Sequence, residues 1–490
     1  MAMLSGILKG LLVFWCVLVS LQGLAAQNVS EGPGFDYKDA LTKAILFFEG
    51  QRSGKLPTNQ RVTWRGDSAL ADGQSENVKL SGGYYDAGDN VKFGWPLSFS
   101  ISLLSWAAVE YKSQISSANQ IGYLQSAIQW GADFILKAHT TPTTLYTQVG
   151  DGNADHQCWE RPEDMDTPRT LYKITSSKPG TEAAAEAAAA LAAASIVFRG
   201  VDSGYSSKLL SQSQSDELLW AAAWLYRASG NTKYLNFVLN NQGWSQAVSE
   251  FSWDNKLAGV QTLLLKDYVA GKTNLGKFKN DADSFVCALM PGSSSRQIQT
   301  TPGGLLYTRD SSNLQYVTSA TTVLFVYSRT LKAGGVDGVQ CGSAHFSTSQ
   351  IRAFAKAQVD YILGNNPLKM SYMVGFGNKY PMQLHHRASS IPSIGTHPAK
   401  VGCNDGQSWY NTGSNNPNTH TGAIVGGPNS NDQFNDARTD YSHLEPTTYM
   451  NAAMVSSLAA VLATDVAKNS QTNVTMNIAQ YEFVEHIYNY

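Results

Sequence analysis

The sequence predicts an all-α fold, a ring of helix pairs of the kind called an α/α toroid. About a dozen segments carry apolar residues at helical spacing, and no convincing run of strands lies between them. The segments richest in chemically active side chains fall in the connections, not in the helices. A ring of helix pairs leaves the loops at one end free to form a cleft, where binding and catalysis concentrate.

The helices are predicted in chain order from apolar spacing and from capping residues. The alanine-rich stretch that contains Glu182 and Glu186 is the strongest helix former, and Ser215 is a candidate N-cap for the helix after it. The predicted helices are 37–51, 98–111, 121–138, 181–198, 216–228, 233–250, 256–269, 281–290, 313–331, 347–363 and 446–466, with a weak, short candidate at 201–212. The chemistry-rich loops are 81–96, 150–170, 375–410 and 411–446.

Composition and charge indicate which classes of binding partner suit this 490-residue chain. Lys and Arg number 36 against 38 Asp and Glu, so the formal net charge is −2. A near-neutral surface gives no reason to expect nucleic acid or an anionic membrane as partner, and a neutral substrate is favoured. We also expect a monomer.

The two ends of the chain are predicted to lie outside the functional domain. Residues 1–26 resemble a secretory signal, with Lys9 as the lone charge, an apolar run over 11–21 and small residues at 23–26. An uncleaved anchor is the alternative, but the apolar run is short for a bilayer. We therefore expect a secreted, extracellular protein with a domain over 27–467 and a tail over 468–490, with sequons at Asn28 and Asn473.

The number of cysteines is compatible with a secreted protein, but the sequence does not determine which of them form disulfides. Cys16 would leave with the signal, and four cysteines remain. Four cysteines allow three pairings, and their wide spacing does not match a zinc site. The four are Cys158, Cys287, Cys341 and Cys403.

The segment 81–96 is the first candidate site. Asp86 and Asp89 lie three residues apart among glycines and aromatic residues. Glycine lets the backbone approach a ligand closely, flat aromatic faces suit sugar rings, and carboxylates suit proton transfer to or from water. The alternative is an Asp-rich surface turn.

Two further loops each allow two interpretations. In 155–166, His156 and the carboxylates could hold a metal ion, but a polar loop with Arg161 paired to its acidic neighbours is favoured. His156 could bind sugar in either case. Trp253 is either a stacking platform or a core residue.

The segments 371–387 and 433–451 add a histidine pair and an isolated acid. Since adjacent side chains point apart, one of His385 and His386 should face the site, where it and Arg387 could donate hydrogen bonds; a structural histidine is the alternative. Glu445 precedes a proline at the start of the last helix. The helix N-terminus favours its anion, whereas burial would keep it protonated, and a plain helix-start acid is the alternative.

Together these segments resemble glycoside hydrolase family 9, the inverting β-1,4-glucanases or cellulases. The resemblance rests on three motifs in order: Asp86-Ala-Gly-Asp89, the stretch that ends in His385-His386-Arg387, and the spaced Phe434, Asp436, Tyr441, Glu445, Thr447 and Asn451. It extends from about Phe35 to Ala463 and is closest to the plant members. It implies an (α/α)6 barrel, a β-1,4-glucan substrate of the cellulose type and no cofactor or metal.

The resemblance also implies residue roles. Asp89 matches the base that deprotonates the attacking water, Asp86 the acid that helps to hold this water, and Glu445 the general acid that protonates the leaving oxygen. The other matching positions are His385 and Asp436 in the active site, Arg387 and His156 at the sugar, and Trp253 as a stacking residue.

One segment departs from the family pattern. Between Leu210 and Ser215 only Ser-Gln-Ser-Gln is present, where plant members continue the helix and add an aromatic loop. We therefore expect one truncated helix near 202–214. Two alternatives to an active endoglucanase remain: a glucan-binding member with weak or no activity, and an enzyme for another neutral glycan such as xyloglucan or mannan.

Overall fold

The computed structural model describes residues 34–213 and 218–463. The predicted signal, the tail 468–490, both sequons, Ser215 and the last residues of the helix predicted at 446–466 lie outside the described residues. The helices are α1 Tyr37–Gly50, α2 Gly94–Glu110, α3 Lys112–Ser117, α4 Ile121–Ala138, α5 Gly152–His156, α6 Thr181–Phe198, α7 Ser203–Gln212, α8 Leu219–Ser229, α9 Thr232–Asn240, α10 Leu257–Val269, α11 Gly276–Leu289, α12 Asn313–Ala333, α13 Thr348–Leu363, α14 Arg387–Ser390, α15 Gln407–Asn411, α16 Tyr441–Leu444 and α17 over 448–463.

The long helices alternate along the chain between two kinds. Six are buried around most of their circumference, and these are α2, α6, α8, α10, α12 and α17. Six bury one face, and these are α1, α4, α7, α9, α11 and α13. Helices that are apolar all round belong inside a protein, and amphipathic ones belong on its surface. The described residues therefore form six inner and six outer helices, which confirms the predicted (α/α)6 barrel.

Contacts between neighbours close the inner ring. The helices α2, α6, α8, α10 and α12 contact one another in that order. Thr322 Oγ1 on α12 donates to the Ala453 carbonyl on α17 at 3.0 Å. Ser100 Oγ on α2 in turn donates to Thr448 Oγ1 at the start of α17, also at 3.0 Å. The start of α17 therefore lies beside α2. Helix α2 is the helix that follows the loop carrying Asp86 and Asp89.

Helix α6 forms where alanine dominates the sequence, and its bounds match the prediction. Among the described residues it is the one helix long and apolar enough to cross a membrane by length and composition. It is 67% buried against neighbouring helices, as expected of a core helix. Alanine has a small side chain and the highest helix propensity, so the inner helices can approach closely here.

Other helix ends differ from the prediction for local reasons. Helix α2 starts at Gly94, earlier than predicted, because Pro96 falls in its first turn, where a missing N–H costs nothing. Helix α9 ends at Asn240 and not at 250. There the side chain of Asn241 donates to the Phe237 carbonyl at 2.8 Å and satisfies one of the last helical carbonyls.

Eight short strands lie in the connections of the described residues, where the sequence showed no convincing strands. They are β1 Lys92–Phe93, β2 His139–Thr141, β3 Thr144–Val149, β4 Leu171–Ile174, β5 Gln299–Thr300, β6 Leu306–Tyr307, β7 Gly338–Cys341 and β8 Ala344–Ser347. Strand β3 pairs antiparallel with β1, β2 and β4, with Lys92 opposite Val149. This small sheet anchors the chain directly after Asp89.

Helix α7 precedes the shortened segment, and its truncation stays a prediction. Helix α7 has 10 residues, whereas α6, against which it packs, has 18. Asp202 caps its N-terminus by accepting from the Tyr205 N–H at 2.8 Å. Both neighbouring inner helices are in place.

Two disulfides resolve the pairing that the sequence left open. Cys158 bonds to Cys403 across 245 residues, and Cys287 bonds to Cys341 across 54 residues. The first joins the loop that follows α5 to the loop that precedes α15. A cross-link removes more freedom from the unfolded chain when it closes a longer loop.

We expect the paired change Cys158→Ser and Cys403→Ser to lower the free energy of unfolding by roughly 2–4 kcal/mol. The paired change Cys287→Ser and Cys341→Ser is the matched control, and its loss should be about 1 kcal/mol smaller, because its loop is shorter. Thermal unfolding of the three proteins measures the difference. An equal loss for both pairs would contradict the argument.

Candidate active site

The loop 84–91 is a closed turn that holds two aspartates. The Asp86 N–H donates to the Val91 carbonyl at 3.1 Å and closes the turn. The side chain of Gln51, from the end of α1, donates to the Ala87 carbonyl at 2.7 Å. The Thr448 N–H donates to the Asp86 carbonyl at 2.9 Å, which joins the turn to the start of α17. Inner and outer helices therefore both hold this loop in place.

Asp86 and Asp89 both have an oxygen available inside the site. They are 8% and 6% exposed, and the Oδ1 atom of each is buried with no hydrogen-bond partner among the described residues. A buried carboxylate oxygen without a protein partner can accept a hydrogen bond from water or substrate. Burial, and then the charges of Asp89 and Glu445, raise the pKa of Asp86 well above its ordinary value.

Glu445 lies in the short connection between α16 and α17 and points to the same turn. Its Oε1 accepts from the Gly88 N–H at 3.0 Å, although the two residues are 357 positions apart in the chain. Burial, and then the negative charge of Asp89, raise the pKa of Glu445 to about 7. Burial therefore outweighs the stabilising backbone N–H, and the carboxyl is protonated in mildly acidic solution. The alternative of a plain helix-start acid does not fit these contacts.

Gly88 connects the two sides of the site. Its carbonyl accepts from the Arg387 N–H at 3.0 Å and from Arg387 Nη1 at 3.1 Å. A Cβ at position 88 would lie 2.0 Å from the His385 carbonyl oxygen and 3.1 Å from Glu445 Oε1. Only glycine fits, since real Cβ atoms do not approach backbone oxygen so closely.

His156 completes one wall of the site. Its side chain is 58% exposed, and its Nε2 lies 3.3 Å from Asp89 Oδ2. This hydrogen bond raises the pKa of His156. The ring of His156 is exposed beside Asp89, and its contact with sugar stays a prediction.

Asp155 was not singled out from the sequence, but it lies against the same cluster. Burial raises its pKa to about 6, although the charge of Arg387, whose Nη2 is 3.4 Å from Asp155 Oδ2, opposes the shift. Asp89, Asp155 and His156 place one donor atom each within 4.8 Å of one another, a spacing that suits a cation. The guanidinium of Arg387 already supplies positive charge there, which disfavours a metal ion, and the absence of a metal stays a prediction.

The two adjacent histidines point apart, as predicted. His386 is buried; its Nε2 lies 2.7 Å from Gln51 Oε1, and burial lowers its pKa well below the ordinary value. His385 is partly exposed, and its ring lies 4.9 Å from that of Trp159. Burial lowers the pKa of His385 to about 4, so this ring is neutral near pH 7 and can exchange hydrogen bonds without carrying charge.

Arg387 is buried, and its side chain contacts protein groups. Its side chain is 3% exposed, and it donates to the carbonyls of Cys158, Gly88 and Asp155 at 3.1 Å each. Its guanidinium also lies 4.8 Å from the ring of Trp159. These contacts hold the loop 155–159 against the turn at Gly88. The predicted sugar contact of Arg387 stays a prediction.

Asp436 supports the site from a distance. Its two carboxylate oxygens accept from the backbone N–H groups of Met382 and Gln383 at 2.7 and 2.9 Å. These bonds fix the stretch that leads to His385. The contacts therefore give Asp436 a positioning role, while its predicted part in catalysis stays a prediction.

Two further aromatic residues belong to the segments that carry candidate site residues. Trp253 is partly exposed, and its ring meets that of Trp95 edge to face at 5.2 Å. Tyr441, a residue of the third motif for which no role was predicted, is 60% exposed and lies 6.0 Å from the ring of His385.

We expect His156→Gln to move the alkaline limb of the pH profile of kcat/KM upward by roughly half a pH unit. The positive charge of His156 favours the carboxylate form of Glu445, so its removal raises the pKa of Glu445 from about 7, and the acid stays protonated to higher pH. The control is His345→Gln, since His345 also lies beside an aspartate, Asp337, but on the β7–β8 hairpin. A downward shift, or an equal shift in the control, would contradict the argument.

A buried pair of carboxyls, one held protonated and one with an oxygen that has no partner in the part of the chain that the structure describes, fits the class of acid–base glycosidases. The comparisons agree. The sequence profile of glycosyl hydrolase family 9 matches residues 37–215 and 211–458, so its two segments meet at the shortened connection. The chain belongs to glycosyl hydrolase family 9.

Known relatives cover nearly the whole chain. An endoglucanase of Phaseolus vulgaris is 67% identical over 482 residues, which cover 92% of this chain and 97% of the relative. Endoglucanase 18 of Arabidopsis thaliana is 65% identical over 454 residues, 87% of this chain and 95% of the relative.

Two solved structures show the same fold. The endoglucanase of the termite Nasutitermes takasagoensis is 38% identical with a TM-score of 0.79 and covers 88% of this chain and 100% of its own. The cellulase Cel9M of C. cellulolyticum, solved in complex with cellobiose, is 28% identical with a TM-score of 0.74 and covers 88% and 99%.

Proposed function

We propose that the protein is an endo-β-1,4-glucanase that hydrolyses internal bonds of cellulose-type glucan with inversion. The observation that carries the proposal is the arrangement around Gly88. The protonated Glu445 accepts the N–H of this residue, and the unpartnered oxygens of Asp86 and Asp89 flank it in the chain.

The reaction requires one ionised and one protonated carboxyl on opposite faces of the sugar, separated widely enough to admit water. Asp89 removes a proton from the water that attacks the anomeric carbon, and Asp86 helps to hold this water. Glu445 gives its proton to the glycosidic oxygen, which leaves with the other half of the chain. No cofactor takes part in these steps.

The contacts do not favour a glucan-binding protein without turnover. The acid, the base and the turn that joins them are complete on one side of the barrel. Directly after the shortened segment, Trp220 on α8 still donates its indole N–H to Glu186 on α6 at 3.0 Å. The shortened connection therefore preserves the packing of the inner helices.

The experiment is to incubate the purified protein with carboxymethyl cellulose and to follow the released anomer by NMR, with viscosity as the measure of internal cleavage. We expect the α-anomer first and a rapid fall in viscosity. Release of the β-anomer first, or binding of cello-oligosaccharides without cleavage, would overturn the proposal. Xyloglucan and mannan, tested in parallel, decide the alternative substrates.

We further propose a secreted monomer that acts outside the cell and away from membranes. Support comes from the signal-like residues 1–26 and from the two disulfides, since disulfides persist in oxidising compartments. Fractionation of the producing tissue, together with size-exclusion chromatography, tests both points.

A further inference from the structure

Two tryptophans meet beside the catalytic turn. Trp95 lies at the start of α2, six residues after Asp89, and its ring lies 5.2 Å from that of Trp253 at an interplanar angle of 84°. Both side chains are half-buried, so part of the surface of each remains exposed. The orientation of this pair determines the apolar surface that the cleft offers to a sugar ring.

Trp253 is carried by a tight turn. The backbones of Ser252 and Asn255 exchange hydrogen bonds of 3.0 and 3.1 Å, and Ser252 Oγ donates to Asp254 Oδ1 at 2.7 Å. The next residue, Lys256, occupies the N-cap position of α10. The backbone of Lys256 therefore directly follows the turn that carries Trp253.

Lys256 connects the tryptophans to a buried acid. Its Nζ lies 4.6 Å from the ring centroid of Trp95 and 3.2 Å from Glu186 Oε2. Glu186 is 1% exposed, and its Oε1 accepts from Ser102 Oγ at 2.9 Å and from Trp220 Nε1 at 3.0 Å. A buried carboxylate is costly without a cation, so the pair fixes where the ammonium group sits.

We propose that Glu186 and Lys256 are positioning residues that hold Trp95 and Trp253 in the orientation that grips a long glucan chain. The ion pair keeps the ammonium over one face of Trp95, where the cation–π attraction restrains the ring. The same lysine directly follows the turn of Trp253. The inference rests on the proposed function, and it makes a buried acid on α6 a determinant of substrate affinity.

A role in core stability alone would give a different result. Ser102, Trp220 and Glu186 join three inner helices, so loss of the acid lowers stability in either case. Only the positioning role predicts weaker binding of substrate while kcat stays nearly unchanged. The test therefore measures binding and turnover separately.

The experiment compares Lys256→Met with Lys266→Met. Lys266 lies on α10, for which Lys256 is the N-cap residue, so the two lysines are compared by their partners. Lys266 pairs with Glu110, an acid that is also nearly buried, and is the matched control. We expect Lys256→Met to raise KM for cellohexaose about three- to fivefold, as loss of one cation–π contact predicts, and to leave kcat nearly unchanged. Lys266→Met should leave both constants unchanged.

Glu186→Gln provides a second variant that keeps the side-chain volume and both accepted hydrogen bonds. Glu186→Gln should also raise KM. It therefore keeps the inference testable if Lys256→Met folds poorly. Calorimetric titration of cellohexaose into Glu445→Gln, with and without Lys256→Met, reports affinity without turnover. Equal affinities, or equal effects in the control, would overturn the inference. If the wild-type protein fails to cleave the glucan, the proposed function fails instead.

Discussion

Glu445→Gln is expected to lower kcat on cello-oligosaccharides by roughly 10²–10⁴-fold, because general acid catalysis contributes a factor of that size. Burial raises the pKa of Glu445 to about 7, so the native side chain holds a proton that it can deliver. Glutamine keeps the shape and can still accept the Gly88 N–H, but it has no proton to give to the leaving oxygen. Steady-state kinetics on cellohexaose measures the loss.

The control is a substrate with a better leaving group. A dinitrophenyl β-cellobioside releases an anion that needs little protonation, so Glu445→Gln should cleave it with a much smaller loss. Glu182→Gln, at an exposed acid in the first turn of α6, should leave both substrates unaffected. A loss of equal size on both substrates would show that Glu445 does not act as the acid.

Asp89→Asn is expected to give a loss of the same order, because an amide cannot take a proton from water. Its effect should be relieved by azide, an anion that attacks without deprotonation. Azide would form the bond to the anomeric carbon while the glycosidic bond breaks and Glu445 protonates the leaving oxygen. Inversion predicts an α-glycosyl azide, which NMR identifies.

Asp86→Asn is the matched comparison for Asp89→Asn. Asp86 has a strongly raised pKa and so suits a role in holding the water rather than in taking its proton. We expect a smaller loss that azide does not relieve. A β-glycosyl azide from Asp89→Asn, or relief in the Asp86 variant alone, would exclude the assignment of Asp89 as the base.

Periodicity alone predicted the helices that bury one face or consist of alanine, such as Thr181–Phe198. It failed where a local contact ends or starts a helix, as at Asn241 and Pro96. The strands of the described residues were missed because most have two to four residues, too few for an alternating pattern to appear. The ring closure through Ser100 and Thr448 depends on tertiary packing, which local spacing does not encode.

The acidic residues of the candidate site could be predicted from the sequence. The contacts of the residues that hold them in position could not. The resemblance to family 9 motifs implied the roles of Asp86, Asp89 and Glu445, whereas the residues alone left a surface turn and a helix-start acid as alternatives. It did not show that Asp436 binds backbone N–H groups, or that Arg387 is 3% exposed. Positioning residues act through contacts between distant segments, and only the folded chain brings those segments together.

Gly88 also limits how this enzyme could evolve. The residue leaves no room for a side chain, and its backbone ties the turn of the base to the side chain of the acid. The positions of the two acidic residues are therefore tied to each other through the backbone of Gly88. A change from inversion to retention requires a closer pair of acids. Such a change would have to move this backbone contact as well as the side chains, so we expect it to need more than one substitution.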